Sequence, residues 1–242
     1  MAELKPNRER EEACALVTGA TRGIGRAAAR ALRASGMQVA VAARREDPLR
    51  ELADELEGWA IPCDVSDPGS VERMFARFLE LAGRAPDLVL SSAGVFSLSE
   101  ASDVSTEALE ASLAVNLKGG ILVARSVLPH FLQRGSGLLI QVGSVAGRRP
   151  LPGNTAYGAA KYGLRGFHEI LLEELRGTGV RATLLEPAAT DTSLWDPIDP
   201  DSDPALPDRS AMLRPEDVAE AVVFVASRPA RVQIPVLAIE RV

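Results

Sequence analysis

Short runs rich in valine, leucine and alanine alternate along the chain with longer amphipathic segments. The runs predict strands over 13–17, 38–42, 59–63, 88–90, 138–142, 181–185 and 236–239. The segments between them predict helices over 24–35, 47–57, 68–82, 105–133, 156–177 and 215–227. The runs are continuously apolar rather than alternating, as strands buried on both faces are, and the intervening helices then serve as crossovers. The expected architecture is a single α/β domain spanning 1–242: a doubly wound, seven-stranded parallel sheet with helices on both faces. No internal repeat, linker or composition break marks a second domain.

One stretch breaks the rhythm. "DTSLWDPIDPDSDPALPDRSAML", residues 191–213, is rich in proline and aspartate and has no period. It follows the carboxyl end of a predicted strand, where ligands of such sheets bind, so a substrate lid is expected there, with a solvated acidic loop as the alternative.

Composition narrows the class. With 46% apolar and 25% charged residues the chain reads as a soluble globular protein. No apolar run suggests a membrane span, and the charged start "MAELKPNREREE" lacks the layout of a secretory signal, so a cytoplasmic location is expected. Cys14 and Cys63, both in apolar runs, suit buried free thiols. A net charge of −6 argues against a nucleic-acid partner. His130 and His168 are the only histidines and lie too far apart for a metal site or a serine–histidine triad, so no metal is expected.

The first strand runs into "LVTGATRGIGRAAARAL". Gly19, Thr21, Arg22, Gly23, Ile24 and Gly25 form a glycine-rich turn opening an alanine-rich helix, where backbone amides can approach a pyrophosphate at the positive helix end. A phosphate-loop NTPase would need lysine after the last glycine, and Arg26 stands there. At the end of the second strand a cofactor without a 2′-phosphate would usually meet a carboxylate. The chain reads "VAARRED", with Arg44 at the strand end. Arg44 and Arg22 together favour a phosphate over a bare hydroxyl, hence NADP over NAD. The alternative is that Arg44 and Arg45 are solvated while Glu46 or Asp47 reaches the ribose.

Tyr157 and Lys161, four apart in "YGAAK", share one helix face, and Ser144 stands thirteen residues earlier, past the fifth strand. A phenol has a pKa near ~10, and a nearby ammonium would draw it toward working pH.

With these motifs in order, the sequence resembles the short-chain dehydrogenase/reductase family: "TGATRGIG" at 18–25, "CDV" at 63–65, "SSAG" at 91–94, Asn116, "GS" at 143–144, "YGAAK" at 157–161 and "EPAATDT" at 186–192. The resemblance implies Tyr157 as general acid/base and Ser144 as the group holding the substrate oxygen. It implies that Lys161 grips the nicotinamide ribose and that Asn116 helps keep a relay water. It further implies that Asp64 and Val65 flank the adenine, that Ala93, Gly94 and Pro187 line the cofactor path, and that Thr192 contacts the carboxamide. Three departures stand out. Ser91 and Ser92 replace a pair of asparagines, Ala188 replaces a glycine, and the terminal "RVQIPVLAIERV" lacks a Val-Asp-Gly-Gly segment that serves tetramer contacts in relatives.

Phe96, Leu151, Pro152 and Trp195 are candidate pocket walls and favour an apolar or mixed carbonyl compound. A strongly anionic substrate would need Arg148 and Arg149, the basic residues nearest that rim in sequence. The expected function is NADPH-dependent reduction of a small carbonyl compound, or the reverse oxidation of a secondary alcohol, in a homo-oligomer (dimer or tetramer). A narrower alternative is a 3-oxoacyl-carrier-protein reductase. One of another class is a catalytically silent dinucleotide-binding sensor or scaffold.

Overall fold

The computed structural model describes residues 13–242. The expectation about a leader at the start of the chain falls on 1–12, outside the described residues. Seven strands form one parallel sheet in the order β3-β2-β1-β4-β5-β6-β7. They are β1 (Cys14–Thr18), β2 (Gln38–Ala43), β3 (Trp59–Pro62), β4 (Leu88–Ser91), β5 (Gly137–Val142), β6 (Val180–Pro187) and β7 (Val236–Ile239). Among the described residues seven α-helices are interleaved with them: α1 (Gly23–Ala34), α2 (Glu46–Glu55), α3 (Pro68–Ala82), α4 (Thr106–Ser112), α5 (Gly120–Arg134), α6 (Thr155–Glu174) and α7 (Pro215–Ala226).

The continuous apolar runs are explained by two cores, one on each face of the sheet. Ala15, Val17, Val41 and Leu90 point to one side, under Leu32 of α1, Leu52 of α2 and Val222 of α7. Cys14, Leu16, Val89 and Leu139 point to the other, under Phe78 of α3, Phe131 of α5 and Leu171 of α6. Successive residues of a strand face opposite sides, so every position of a central strand is apolar when both sides are covered. Phe78 and Phe131 are wholly buried. Truncating either to alanine is expected to remove about 3–5 kcal/mol of stability through lost transfer energy and the cavity left behind. Cys14 and Cys63 are buried free thiols, and burial pushes the Cys63 thiol up to about 11.

The helix predicted over 105–133 is one continuous rod but not one α-helix. Between α4 and α5 the backbone widens into a π-helical stretch, Leu113–Gly119. Such widening recurs at functional sites, and here it carries Asn116. The rod also corrects the expectation about apolar runs, because Thr106–Arg134 is long and apolar enough to cross a membrane by length and composition. Val123, Val127 and Phe131 supply much of that character and pack on the sheet, as in the core helix of a globular fold.

The chain order reverses beside β1, which lies between β2 and β4. At such a switch point the loops leaving the carboxyl ends of neighbouring strands diverge and open a crevice. The glycine turn and the segments after β3, β4, β5 and β6 leave the sheet at that edge, while Asn116 and the Tyr157–Lys161 pair lie on helices.

Candidate active site

A single cleft of about 1110 Å³ runs along the carboxyl edge of the sheet. All the residues proposed above for cofactor, catalysis and substrate line it, from Gly19, Thr21, Arg22, Gly23, Ile24 and Gly25 to Leu151 and Trp195.

The glycine turn is built by close approach. Gly19 has φ +67°, and a Cβ there would come within 2.6 Å of the Ala93 backbone, so the turn lies directly against the loop after β4. Gly23 has φ +50°, and its Cβ would meet the Thr192 methyl at 2.9 Å. The loops after β1, β4 and β6 thus meet where a side chain would fill the space. The serines that replace the asparagine pair leave the sheet edge supported, since the Ser92 amide donates to Thr18 Oγ1 at 3.3 Å. Pro187 ends β6 and Ala188 follows it, its amide donating to the Ile239 carbonyl at 2.8 Å.

At the far end of the cleft Arg22, Arg44 and Arg45 share one wall. Burial lowers the pKa of Arg22 from the usual guanidinium value, and the charges of Arg45 and Arg44 lower it further. Among the described residues none of the three forms an ion pair; Arg22 reaches only Ser193 Oγ, at 3.5 Å. Glu46, the alternative ribose acceptor, is held by Arg50 at 2.6 Å, and neither it nor Asp47 lines the cleft. Asp64 lies nearby. Its carboxylate accepts from the Ser66 amide at 2.9 Å and from the Ser66 hydroxyl at 2.7 Å, bonds that outweigh burial and keep it below the usual carboxylate range. Val65, buried, meets Gly119 from below, where a Cβ would fall 2.8 Å from its methyl.

The middle of the cleft holds Ser144, Tyr157 and Lys161. Ser144 opens a 3-10 turn after β5, its hydroxyl accepting from the Ala146 amide at 3.1 Å. Tyr157 and Lys161 project from the same side of α6, with the ammonium 5.5 Å from the phenol ring centroid. Lys161 is 5% exposed and donates to the Val142 carbonyl at 2.8 Å. Burial lowers its pKa to about 8.

For Tyr157 the structure corrects the sequence expectation. Burial raises the phenol to about 12, and the Ser144 hydroxyl offsets only part of this.

Asn116 is buried, and both ends of its amide are engaged. Its Oδ1 accepts from the Val95 amide at 3.0 Å, and its Nδ2 donates to the Val95 carbonyl and to Ser112 Oγ, both at 2.9 Å. Ser112 in turn donates to the Ala156 carbonyl at 3.1 Å, next to Tyr157. Asn116 therefore ties the loop after β4, where Gly94 leaves only 3.1 Å for a Cβ beside Oδ1, to the start of α6. Sequence reasoning missed Ser112, although its position one turn before Asn116 was a visible signal.

The near end is aromatic. Phe96 meets Tyr157 edge-on at a centroid distance of 4.8 Å and Trp195 likewise at 4.8 Å. Trp195 belongs to the proline- and aspartate-rich loop, whose ends are pinched together by hydrogen bonds from Asp191 to Leu213 at 2.8 Å and from Leu213 to Ala189 at 2.9 Å. Arg209 braces the loop from inside through Asp191 and Asp196, each at 2.7 Å. Leu151 and Leu206 complete this wall.

Arg148 and Arg149 do not line the cleft. Arg148 lies 3.1 Å from the buried Glu186 and also pairs with Glu240, which Arg149 reaches at 3.1 Å; Arg165 closes the cluster onto Glu186 at 2.7 Å. Sequence reasoning missed this cluster because its members come from four segments of the chain. His168 is wholly buried and its Nε2 lies 2.9 Å from the Pro235 carbonyl, while His130 packs on Phe75 at 5.0 Å. No cluster of metal-ligating side chains occurs among the described residues.

Comparison with known proteins agrees with this geometry. The short chain dehydrogenase family model matches residues 13–203. The NADP-dependent 3-hydroxy acid dehydrogenase YdfG of Salmonella typhi is 35% identical over 226 residues, covering 90% of this chain and 91% of that one. The sulfoacetaldehyde reductase 2 of Chromohalobacter salexigens is 34% identical over 228 residues, with 90% of each chain covered. Among solved structures, the closed form of a serine dehydrogenase complexed with NADP+ superposes with a TM-score of 0.87 at 34% identity, covering 93% of this chain and 94% of that one. With the family model matched over 13–203, and relatives about a third identical over nine-tenths of its length, the chain belongs to the short chain dehydrogenase family of oxidoreductases.

Proposed function

We propose that the protein is an NADP(H)-dependent oxidoreductase that interconverts a small carbonyl compound and the corresponding secondary or primary alcohol, with Tyr157 as general acid/base. The observation that carries the reading is that Ser144, Tyr157 and Lys161 line one cleft together with three arginines and with Phe96 packed on the Tyr157 ring. The relatives named above are called an NADP-dependent dehydrogenase, an aldehyde reductase and an NADP+-complexed dehydrogenase, which supports both the chemistry and the cofactor.

The cleft suits the phosphorylated dinucleotide. Gly19 and Gly23 allow close approach to the Ala93 backbone and the Thr192 side chain, and the three arginines present donors with no carboxylate partner among the described residues. When bound, NADPH supplies hydride. Arg22 and Arg44 would hold its 2′-phosphate, the α1 amides its pyrophosphate, and Asp64, Val65, Ala93, Gly94, Pro187 and Thr192 its remaining path.

Ser144 donates to the substrate oxygen and opposes its developing charge. The phenol of Tyr157, protonated across the neutral range, donates its proton to that oxygen. Lys161, anchored on Val142, places a cation behind the phenol and stabilises the phenolate as the proton leaves. Asn116 acts by holding Val95 and the start of α6, and so the position of the tyrosine. Alcohol oxidation needs the phenolate, so its rate is expected to rise with pH. The 191–213 loop is read as a lid, because it is pinched at its base and carries Trp195 and Leu206 onto the wall of the substrate end.

The 3-oxoacyl-carrier-protein reductase reading is not favoured by the relatives above, which are named for small substrates. The silent-sensor alternative would suit a chain lacking Tyr157, Lys161 or Ser144, and all three line the cleft. The test is turnover against a carbonyl panel with NADPH and NADH. Reduction with NADPH that Tyr157→Phe abolishes supports the reading; tight NADPH binding without turnover of any compound refutes it.

A further inference from the structure

Resting on the carbonyl-reductase reading, the charge distribution along the cleft narrows the substrate further than the family name does. The cations lining the cleft are Arg22, Arg44, Arg45 and Lys161. The three arginines belong to the glycine turn and the end of β2, at the dinucleotide end, and the Lys161 ammonium is turned onto the Val142 carbonyl. The remaining wall, beyond Tyr157, carries no cation among the described residues. Phe96 and Trp195 form an edge-to-face row with Tyr157, and Leu98, Leu151 and Leu206 surround it. The ionisable groups that do line this end are Glu100 and Asp203, both acidic.

The arginines that could have served an anion are committed elsewhere. Arg148 and Arg149 are turned onto Glu186 and Glu240, and Arg209 onto Asp191 and Asp196. A carboxylate or sulfonate entering this end would lose its hydration against aromatic rings with no donor of opposite sign, and the exposed carboxylates of Glu100 and Asp203 at the rim add only a screened repulsion.

We propose that the substrate is an uncharged carbonyl compound bearing an aromatic or hydrocarbon group, and that this protein discriminates against the oxo acids and sulfonated aldehydes for which its relatives are named. The conversion is carbonyl compound plus NADPH plus a proton to alcohol plus NADP+. Carbon gains the hydride and oxygen the Tyr157 proton, which the medium restores. The aromatic row gives the neutral group a surface with matching geometry, edge against face.

The experiment uses the full chain, NADPH and two matched pairs: methyl 4-formylbenzoate against 4-formylbenzoate, and ethyl 3-oxobutanoate against 3-oxobutanoate. In each pair the acid is expected to show a kcat/KM at least about tenfold lower, carried mainly by KM. Acids reduced as well as or better than their esters would overturn the inference and leave the oxidoreductase reading standing. No turnover of any of the four by protein that binds NADPH would overturn both. A Leu151→Arg variant, which places a guanidinium at the rim, is expected to narrow the gap between ester and acid. A gap that stays unchanged there, while ester turnover persists, would count against charge as its origin.

Discussion

The ammonium of Lys161 donates to the carbonyl of Val142 at 2.8 Å, joining the helix that carries Tyr157 to the strand end that carries Ser144. The bond fixes a charge where solvent is scarce, and burial answers by lowering the lysine to about 8. The sign of the consequence follows from proton counting. Between pH 8 and the ordinary lysine value of 10.5 the unfolded chain holds a proton at this site that the folded one has released. Stability from this group therefore rises with pH across that window, and its burial penalty is fully felt below it. Lys161→Met is expected to abolish turnover and to remove this contribution, without lowering the melting temperature at pH 7. Thermal melts of both proteins from pH 7 to 10.5 check it, and a pH slope that persists in the variant refutes the assignment.

Tyr157→Phe removes one hydroxyl and keeps the ring that Phe96 packs against. The expected outcome is a loss of at least about 10²-fold in kcat, the scale of a positioned general acid, with NADPH affinity changed little. Steady-state rates and a fluorescence titration separate the two.

Arg44 stands exposed at the end of β2 with no ion pair among the described residues. Arg44→Ala is expected to weaken NADPH binding about tenfold or more and to leave NADH binding nearly unchanged, because only the phosphorylated ribose offers a dianion to a guanidinium. Equal losses for both cofactors would exclude a 2′-phosphate role.

Glu186, 1% exposed, lies between Arg148 and Arg165. Glu186→Gln leaves two guanidinium groups, each about a quarter to a third exposed, facing a neutral amide. Removing one member of a wholly buried ion pair is severe; partial solvation of the arginines brings the expected loss down to about 2 kcal/mol. For a chain of this size that corresponds to a fall of about 4–8 °C in melting temperature, which calorimetry can measure.

The pH dependence of the two reaction directions should diverge. With the phenol raised to about 12, reduction draws on a protonated tyrosine across the neutral range. Oxidation requires its conjugate base and is expected to rise with pH above neutrality. Rate profiles from pH 6 to 10 in both directions provide the check.

Much of this molecule could be read from residue order alone. Strand and helix alternation was legible because covered parallel strands must be apolar at every position, and the glycine turn because only missing side chains allow Gly19 to lie against Ala93. The spacing of Tyr157 and Lys161 was enough to put them on one side of a helix.

What sequence could not decide was the balance of opposing fields in three dimensions. An ammonium one turn away lowers a phenol in principle. In the folded cleft burial raises the Tyr157 phenol instead, and burial depends on every loop at once. Arg148 and Arg149 likewise sit near the rim in sequence yet are drawn off it by Glu186 and Glu240, residues thirty-eight and ninety-two positions away from Arg148. Local pattern determined the sheet, the turn and which side chains share one face of α6. Which charges face the ligand was settled by contacts between distant segments, because only the folded chain decides which partner each side chain can reach.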